Sequence, residues 1–108
     1  MIEVREYITE TGKSSFGKWF SNLSGPVAAK VTTALERITQ GNLSNVRALG
    51  AGVSEYKIDF GPGYRIYFGK DGDTLVILVA GGSKKGQSQD IEIARTNWAD
   101  YKKRKRHS

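Results

Sequence analysis

Two alternating segments on either side of Gly61-Pro62-Gly63 constrain the fold of this chain more than any other feature. Val53–Phe60 and Tyr64–Phe68 alternate, with apolar residues at every second position from Tyr56 to Phe60 and from Tyr64 to Phe68, which predicts β-strands with one face toward a core. Because Gly and Pro between two such runs signal a turn, the segments predict an antiparallel pair. The shared core face would then carry the apolar residues Tyr56, Ile58, Phe60, Tyr64, Ile66 and Phe68.

The opposite face of the same two strands carries polar side chains, and we expect that face to be open. Alternation places Lys57 and Asp59 beside Arg65 and Tyr67 there. Arg can hold a phosphate with two parallel hydrogen bonds, Lys adds a point charge, and Tyr can stack on a base or move a proton. The set therefore suits RNA binding and cleavage, although a solvated, partly ion-paired sheet face has the same composition.

Further basic residues flank these strands in the sequence. Arg47 precedes them in a segment, Leu43–Gly52, that we interpret as a loop because it is polar and contains glycine. Lys84 and Lys85 follow a third strand. If the strands form one sheet, these three residues converge at its rim and are candidates for holding backbone phosphates.

The other elements follow from periodicity and turn signals. Residues 2–8 alternate loosely and predict a strand; Thr74–Ala80 is a nearly continuous apolar run, as expected of a strand covered on both faces. Ser83–Ser88 is polar, and we expect it to be flexible. Three segments have apolar residues at helical spacing, namely Phe16, Trp19, Phe20 and Leu23; Val27, Val31, Ala34, Leu35 and Ile38; and, from about Gln89 onward, Ile91, Ala94, Trp98 and Tyr101.

The predicted fold is α+β with the order β-α-α-β-β-β-α. Gly25-Pro26 separates the first two helices, since Pro is well placed at a first helical position. We therefore expect an antiparallel-rich sheet with a helical hairpin on one face and a C-terminal helix. The 108 residues suit a single domain, 1–108.

Composition excludes several classes of site. The chain contains no cysteine and a single histidine, His107 next to its end, so we expect no disulfide, thiolate metal site, cysteine nucleophile or internal histidine pair. No metal and no cofactor are expected. The longest apolar run, Leu75–Ala80, is far too short to span a membrane, and the first residues are too polar for a signal peptide. We therefore expect a cytoplasmic protein without a membrane partner.

The net charge of +6 is concentrated at the C-terminus. The tail 102–108 holds five positive charges and no acid, in Lys102, Lys103, Arg104, Lys105 and Arg106. One interpretation is that Lys102, Lys103 and Arg104 bind RNA through counterion release. The other is a solvated continuation of the last helix.

The ordered set of motifs resembles the RelE/ParE superfamily of toxins, in its HigB-like branch of phage-related addiction module killer proteins. The resemblance covers about 90 residues and rests on Phe16–Trp19, Gly50–Lys57, Gly61–Phe68, Gly81–Lys85, Gln89–Ile91 and Trp98–Tyr101.

The resemblance implies a type II toxin that cuts mRNA on the ribosome and is neutralised by a cognate antitoxin, often a helix-turn-helix protein. Arg65 matches the arginine at the scissile phosphate, Lys57 a lysine in base or charge-stabilising roles, and Lys84 or Lys85 a basic residue after the last strand. Two positions depart from the pattern: Asp59 replaces a second lysine, and Ile91 lies near an expected tyrosine or histidine.

These departures bear on the chemistry. With no core histidine, Tyr67 or Tyr101 would have to transfer the proton. Two other functions follow from the same resemblance: a ParE-like, non-enzymatic inhibitor of DNA gyrase, and an inactive toxin that acts as a co-repressor with its antitoxin.

Overall fold

The computed structural model describes residues 1–106 and contains one five-stranded mixed sheet with three α-helices. The strand order is β1-β5-β4-β3-β2; β1 runs parallel to β5, and all other neighbours are antiparallel. The elements are β1 (Glu3–Glu6), α1 (Ser15–Ser21), α2 (Gly25–Thr39), β2 (Val46–Gly50), β3 (Val53–Ile58), β4 (Tyr64–Asp71), β5 (Leu75–Ser83), a 3₁₀ turn (Lys84–Gly86) and α3 (Gln87–Arg106).

The predicted α+β class, the helical hairpin and the C-terminal helix are confirmed. The hydroxyl of Ser14 accepts the backbone N–H of Gly17 and caps α1. Ser24 occupies the N-cap of α2, and Pro26 lies in its first turn, where a missing N–H costs nothing. Within residues 1–106, no helix combines the length and apolarity needed to cross a membrane.

The sheet is buried on both faces. α1 and α2 cover the face that the alternating pattern assigns to the core, where Tyr56, Ile58, Ile66 and Phe68 are buried. The expectation that Thr74–Ala80 is covered on both sides is confirmed. Val76 and Leu78 pack in the helical-hairpin cluster, and Ile77, Val79 and Ala80 pack in a second cluster with Ala94 and Trp98 of α3.

Three expectations are corrected. Leu43–Gly52 is not wholly a loop, because Val46–Gly50 forms the edge strand β2, and the order is therefore β-α-α-β-β-β-β-α. Ser83–Ser88 is not an irregular flexible segment, since β5 continues to Ser83 and a 3₁₀ turn leads directly into α3. The sheet face that the alternation predicts to be open is covered by α3.

A close fit between Trp98 and the sheet backbone fixes α3 in place. A Cβ atom at Gly69 of β4 would lie only 2.4 Å from Cε3 of the Trp98 ring. Since Gly69 has no side chain, the indole lies directly on the strand. Asn97 adds a hydrogen bond of 2.8 Å from its side-chain amide to the carbonyl of Val79.

The predicted tail is partly described. α3 runs to Arg106, as expected if the basic residues continue the last helix. Positions 107 and 108, including the only histidine of the sequence, lie outside the described residues.

Candidate functional site

The centre of the candidate site is a buried arginine held by a buried carboxylate. Arg65 of β4 is 7% exposed and Glu55 of β3 is 3% exposed. Nε of Arg65 lies 3.4 Å from Oε1 of Glu55. Strand alternation explains why the two side chains meet. Glu55 is paired with Tyr67 and Lys57 with Arg65, and all four side chains point to the α3 face. Glu55 and Arg65 are therefore diagonal neighbours on that face.

Two further groups hold the carboxylate of Glu55. Nη2 of Arg47, on β2, lies 3.4 Å from Oε1. The side-chain amide of Gln87, at the start of α3, donates to Oε2 at 3.1 Å. Glu55 therefore links three strands and a helix, and removing it would leave a buried guanidinium without its counter-charge, at a cost of about 3–5 kcal/mol.

Arg65 also lines a concave site, which we call the basic pocket. The pocket has a volume of about 260 Å³ and is lined by Lys57, Asp59, Phe60, the turn Gly61-Pro62-Gly63, Arg65 and Lys84. The backbone N–H of Lys84 donates to the carbonyl of Gly63 at 3.1 Å, which joins the segment after β5 to the turn before β4. The β3–β4 hairpin and the turn after β5, which are distant in the sequence, therefore surround one pocket.

The guanidinium of Arg65 retains unused hydrogen-bonding capacity. Its Nε and Nη1 atoms are buried, and neither has a hydrogen-bond acceptor within the described part of the protein. Nε lies at ion-pair distance from Glu55 without forming a hydrogen bond to it. An unpaired buried donor is costly, and an acceptor oxygen of a ligand would satisfy Nη1. A phosphate oxygen is such an acceptor.

The other ion pair of the pocket is exposed. Nζ of Lys57 lies 3.6 Å from Oδ1 of Asp59, and the two side chains are 54% and 85% exposed. An ion pair this open to water contributes little to stability. Both groups are therefore free to exchange partners when a ligand enters.

Tyr67 does not face the pocket, contrary to the expectation from alternation alone. Its side chain is 0% exposed, packed beneath α3, and its hydroxyl has no hydrogen-bond partner among the described residues. Burial, with the nearby charges of Glu55 and Asp90, raises the pKa of Tyr67 to about 12. Such a phenol neither stacks on a base nor exchanges protons with a ligand in the basic pocket.

Asp90, in the first turn of α3, lies close to Gly82 of β5, the residue paired with Arg65. Burial raises the pKa of the Asp90 carboxyl above its usual value. A Cβ atom at Gly82, the β5 residue directly opposite Arg65, would lie 1.9 Å from Oδ2 of Asp90. Glycine at position 82 therefore allows this carboxyl to approach the sheet backbone.

The structure brings together some of the predicted site residues and separates others. Lys57, Arg65 and Lys84 line one pocket, and Arg47 adjoins it through Glu55. Lys85 lies in the same 3₁₀ turn as Lys84 but does not line the pocket.

The basic tail lies at the other end of α3. Fifteen residues separate Gln87 from Lys102, or about 22 Å at the helical rise. Arg104 pairs with Asp100 and donates to the carbonyl of Ile8, and the ammonium of Lys102 lies 5.8 Å from the centre of the Trp98 ring. Tyr101 is also distant from the pocket, because its hydroxyl donates to Asp71 at 2.7 Å.

Sequence reasoning missed Glu55, Gln87 and Asp90. Extending the strand alternation by one step from Lys57 would have placed Glu55 on the same face as Arg65. Gln87 and Asp90 carried no such signal, because their position depends on where α3 packs.

The chain is similar to a described family and to an uncharacterized protein. Residues 18–99 match the family model described as "Phage derived protein Gp49-like (DUF891)". Over 82 residues the chain is 37% identical to an uncharacterized protein of Haemophilus influenzae, covering 75% of this chain and 83% of that protein. The family match includes every residue of the basic pocket and ends before the basic tail. The chain therefore belongs to the Gp49-like family of phage-derived proteins.

Proposed function

We propose that this protein is the toxin of a type II toxin–antitoxin system and inhibits translation by cleaving mRNA on the ribosome. Membership of the Gp49-like family is consistent with a toxin of such a module. The observation that carries the proposed reaction is Arg65, a buried guanidinium that lines a basic pocket and whose Nη1 has no hydrogen-bond acceptor among the described residues.

In the proposed reaction, Arg65 stabilises the charge that develops on the scissile phosphate. Its position is fixed before RNA binds because Glu55 lies against Nε, and Glu55 is in turn held by Arg47 and Gln87. Such preorganised donors stabilise a transition state without reorganisation, and removing a single donor of this kind typically costs about 10²–10³ in rate. Lys84 supplies a second positive charge at the same pocket.

Proton transfer falls to the exposed pair Lys57 and Asp59, since Tyr67 is buried. The RNA 2′-oxygen attacks the adjacent phosphorus, and its proton passes to the Asp59 carboxylate. The bond from phosphorus to the 5′-oxygen breaks, and that oxygen takes a proton from the Lys57 ammonium. The products are a 2′,3′-cyclic phosphate and a 5′-hydroxyl.

An antitoxin that protects the host would have to keep RNA out of the basic pocket. We propose that the cognate antitoxin, often a helix-turn-helix protein in relatives, neutralises the toxin by covering this pocket or by distorting it.

Brief induction of the protein in growing cells tests the proposal. Labelled amino acid and labelled thymidine incorporation are followed in the first minutes, and the ends of cellular mRNA are mapped. Wild type is expected to stop translation while replication continues, and to produce new mRNA ends. Arg65→Lys keeps the charge opposite Glu55 but lacks the two-nitrogen fork, so it should lose toxicity while remaining folded.

Other outcomes would reject the proposal or parts of it. Full toxicity of Arg65→Lys and Arg65→Ala would remove the site assignment. Replication arrest with continuing translation would support the gyrase function instead, and harmless overexpression of wild type would support a co-repressor.

A further inference from the structure

A second basic depression adjoins the basic pocket, and we call it the α2 subsite. It has a volume of about 230 Å³, and its lining includes Lys30, Thr33 and Arg37 of α2, Asn45, and Lys57 with Asp59. The last two residues also line the basic pocket. The two depressions therefore meet at one exposed ion pair.

Helical geometry places both α2 cations over this depression. Lys30 and Arg37 are seven residues apart, which puts them on one side of the helix and about 10 Å apart along its axis. Val31, Ala34 and Ile38 are buried against the sheet and fix how α2 is rotated. The two cations therefore lie at the edge of the buried stripe, beside the end of β3.

The charge of the two depressions is strongly positive. Their described linings contain five cations, Lys30, Arg37, Lys57, Arg65 and Lys84, against a single carboxylate, Asp59. Glu55, which lines neither depression, offsets the charge of Arg65, so four cations still stand against Asp59. Neither Lys30 nor Arg37 forms an ion pair within residues 1–106. A concave surface lined by one sign of charge concentrates a polyanion along its length.

An aromatic ring lies between the two groups of cations. Phe60 is partly buried and lines the basic pocket, and Nζ of Lys30 lies 5.3 Å from the centre of its ring. Cations interleaved with an accessible ring suit a single nucleic-acid strand, whose phosphates take the cations and whose bases stack on the ring. An acidic peptide would engage the cations only.

We propose that the α2 subsite and the basic pocket form one continuous track for a single RNA strand, with Lys30 and Arg37 holding a phosphate next to the one held by Arg65. Lys57 lies between the two phosphate positions and contributes to both. The inference rests on the proposed function for the phosphate held by Arg65 and for the identity of the strand as mRNA.

Binding of a short single-stranded RNA tests the track. The probe is a fluorescein-labelled 12-nucleotide RNA, 2′-O-methylated throughout so that it cannot be cleaved, and anisotropy is measured at several salt concentrations. Lys30→Ala with Arg37→Ala is compared with a control pair of equal charge change, Lys13→Ala with Lys70→Ala. The control lysines are exposed, line neither depression and form no ion pair in the described chain.

The α2 double variant is expected to bind at least about tenfold more weakly than wild type, since the loss of even one charge-assisted hydrogen bond costs that order of affinity. The slope of log K against log salt should become shallower by about 0.7, because one phosphate fewer is neutralised. The control pair should change both quantities much less. Both double variants should melt at the same temperature as wild type, within the scatter expected for exposed sites.

Two results would overturn the inference. One is an α2 double variant that binds the RNA no more weakly than the control pair. The other is competition by a 12-residue poly-glutamate peptide as effective as that by unlabelled RNA, which would assign the surface to an acidic protein partner. Because this experiment measures binding outside the cell, it can succeed even if the toxin proposal fails, and the reverse also holds.

Discussion

The pairing of Glu55 with Arg65 determines what the site can do. A buried guanidinium needs a counter-charge, and Glu55 supplies it from the side of Nε. That arrangement orients the guanidinium and leaves Nη1 without a hydrogen-bond partner among the described residues. Glu55 therefore has a positioning role, whereas Arg65 is the residue that would contact the ligand.

Tyr67 illustrates the opposite case, a polar group that is buried away from the pocket. Its hydroxyl is buried and unpaired, so replacing it with hydrogen removes a desolvation cost of about 1–3 kcal/mol. Tyr67→Phe is therefore expected to melt at the same or a higher temperature than wild type and to remain fully toxic on induction. Loss of toxicity in a folded Tyr67→Phe protein would show that the phenol takes part in the reaction after all.

At the scale of the elements, α3 decides which residues are accessible. It covers the sheet face that carries Tyr67 and brings Gln87 to Glu55, so both the burial and the preorganisation of the site depend on its position. The helix has few buried residues of its own, chiefly Ala94 and Trp98. Its attachment therefore depends on the packing of Trp98 against Gly69.

Gly69→Ala tests that attachment. The added methyl group would lie 2.4 Å from the Trp98 ring, so the indole or the strand must shift, and we expect destabilisation of about 1–3 kcal/mol. Hydrogen exchange should show lower protection in α3 than in the remaining helices. Gly25→Ala is the matched control, because no atom lies within 4 Å of its new carbon. Equal melting temperatures for the two variants would contradict this account of how α3 is held.

The same packing explains which elements can be predicted from the sequence. Thr74–Ala80 is identifiable because an unbroken apolar run requires cover on both faces, and Val53–Phe60 because alternation is visible locally. β2 could not be predicted because no apolar side chain of Val46–Gly50 is fully buried, so its sequence shows no strong hydrophobic pattern. The strand forms through its backbone hydrogen bonds to β3. α3 is predictable as a helix, but its docking site requires a glycine in a distant strand, and periodicity within the helix contains no such information.

At the scale of the whole molecule, two separate regions concentrate positive charge. One follows the two depressions at the ends of β3 and β4, and the other is the C-terminal end of α3. In the second region, Arg104 pairs with Asp100 of the same helix and donates to the carbonyl of Ile8. Lys105 pairs with Asp71 at the end of β4. These contacts attach the end of α3 to the rest of the protein. The position of this region, about 22 Å along α3 from the pocket, argues against a role in holding RNA at Arg65.

Two double variants that each remove two positive charges separate the regions. Lys57→Ala with Lys84→Ala is expected to make the slope of log K against log salt shallower by at least about 0.7, because two cations that help to neutralise the phosphates of the track are removed. Lys102→Ala with Lys103→Ala removes the same charge from exposed positions on α3 and should leave the slope nearly unchanged. The measurement is anisotropy of the same 2′-O-methylated RNA across a salt series. A slope that falls equally in both variants would mean that the RNA extends along α3 to the tail, and the track would then be longer than the two depressions described above.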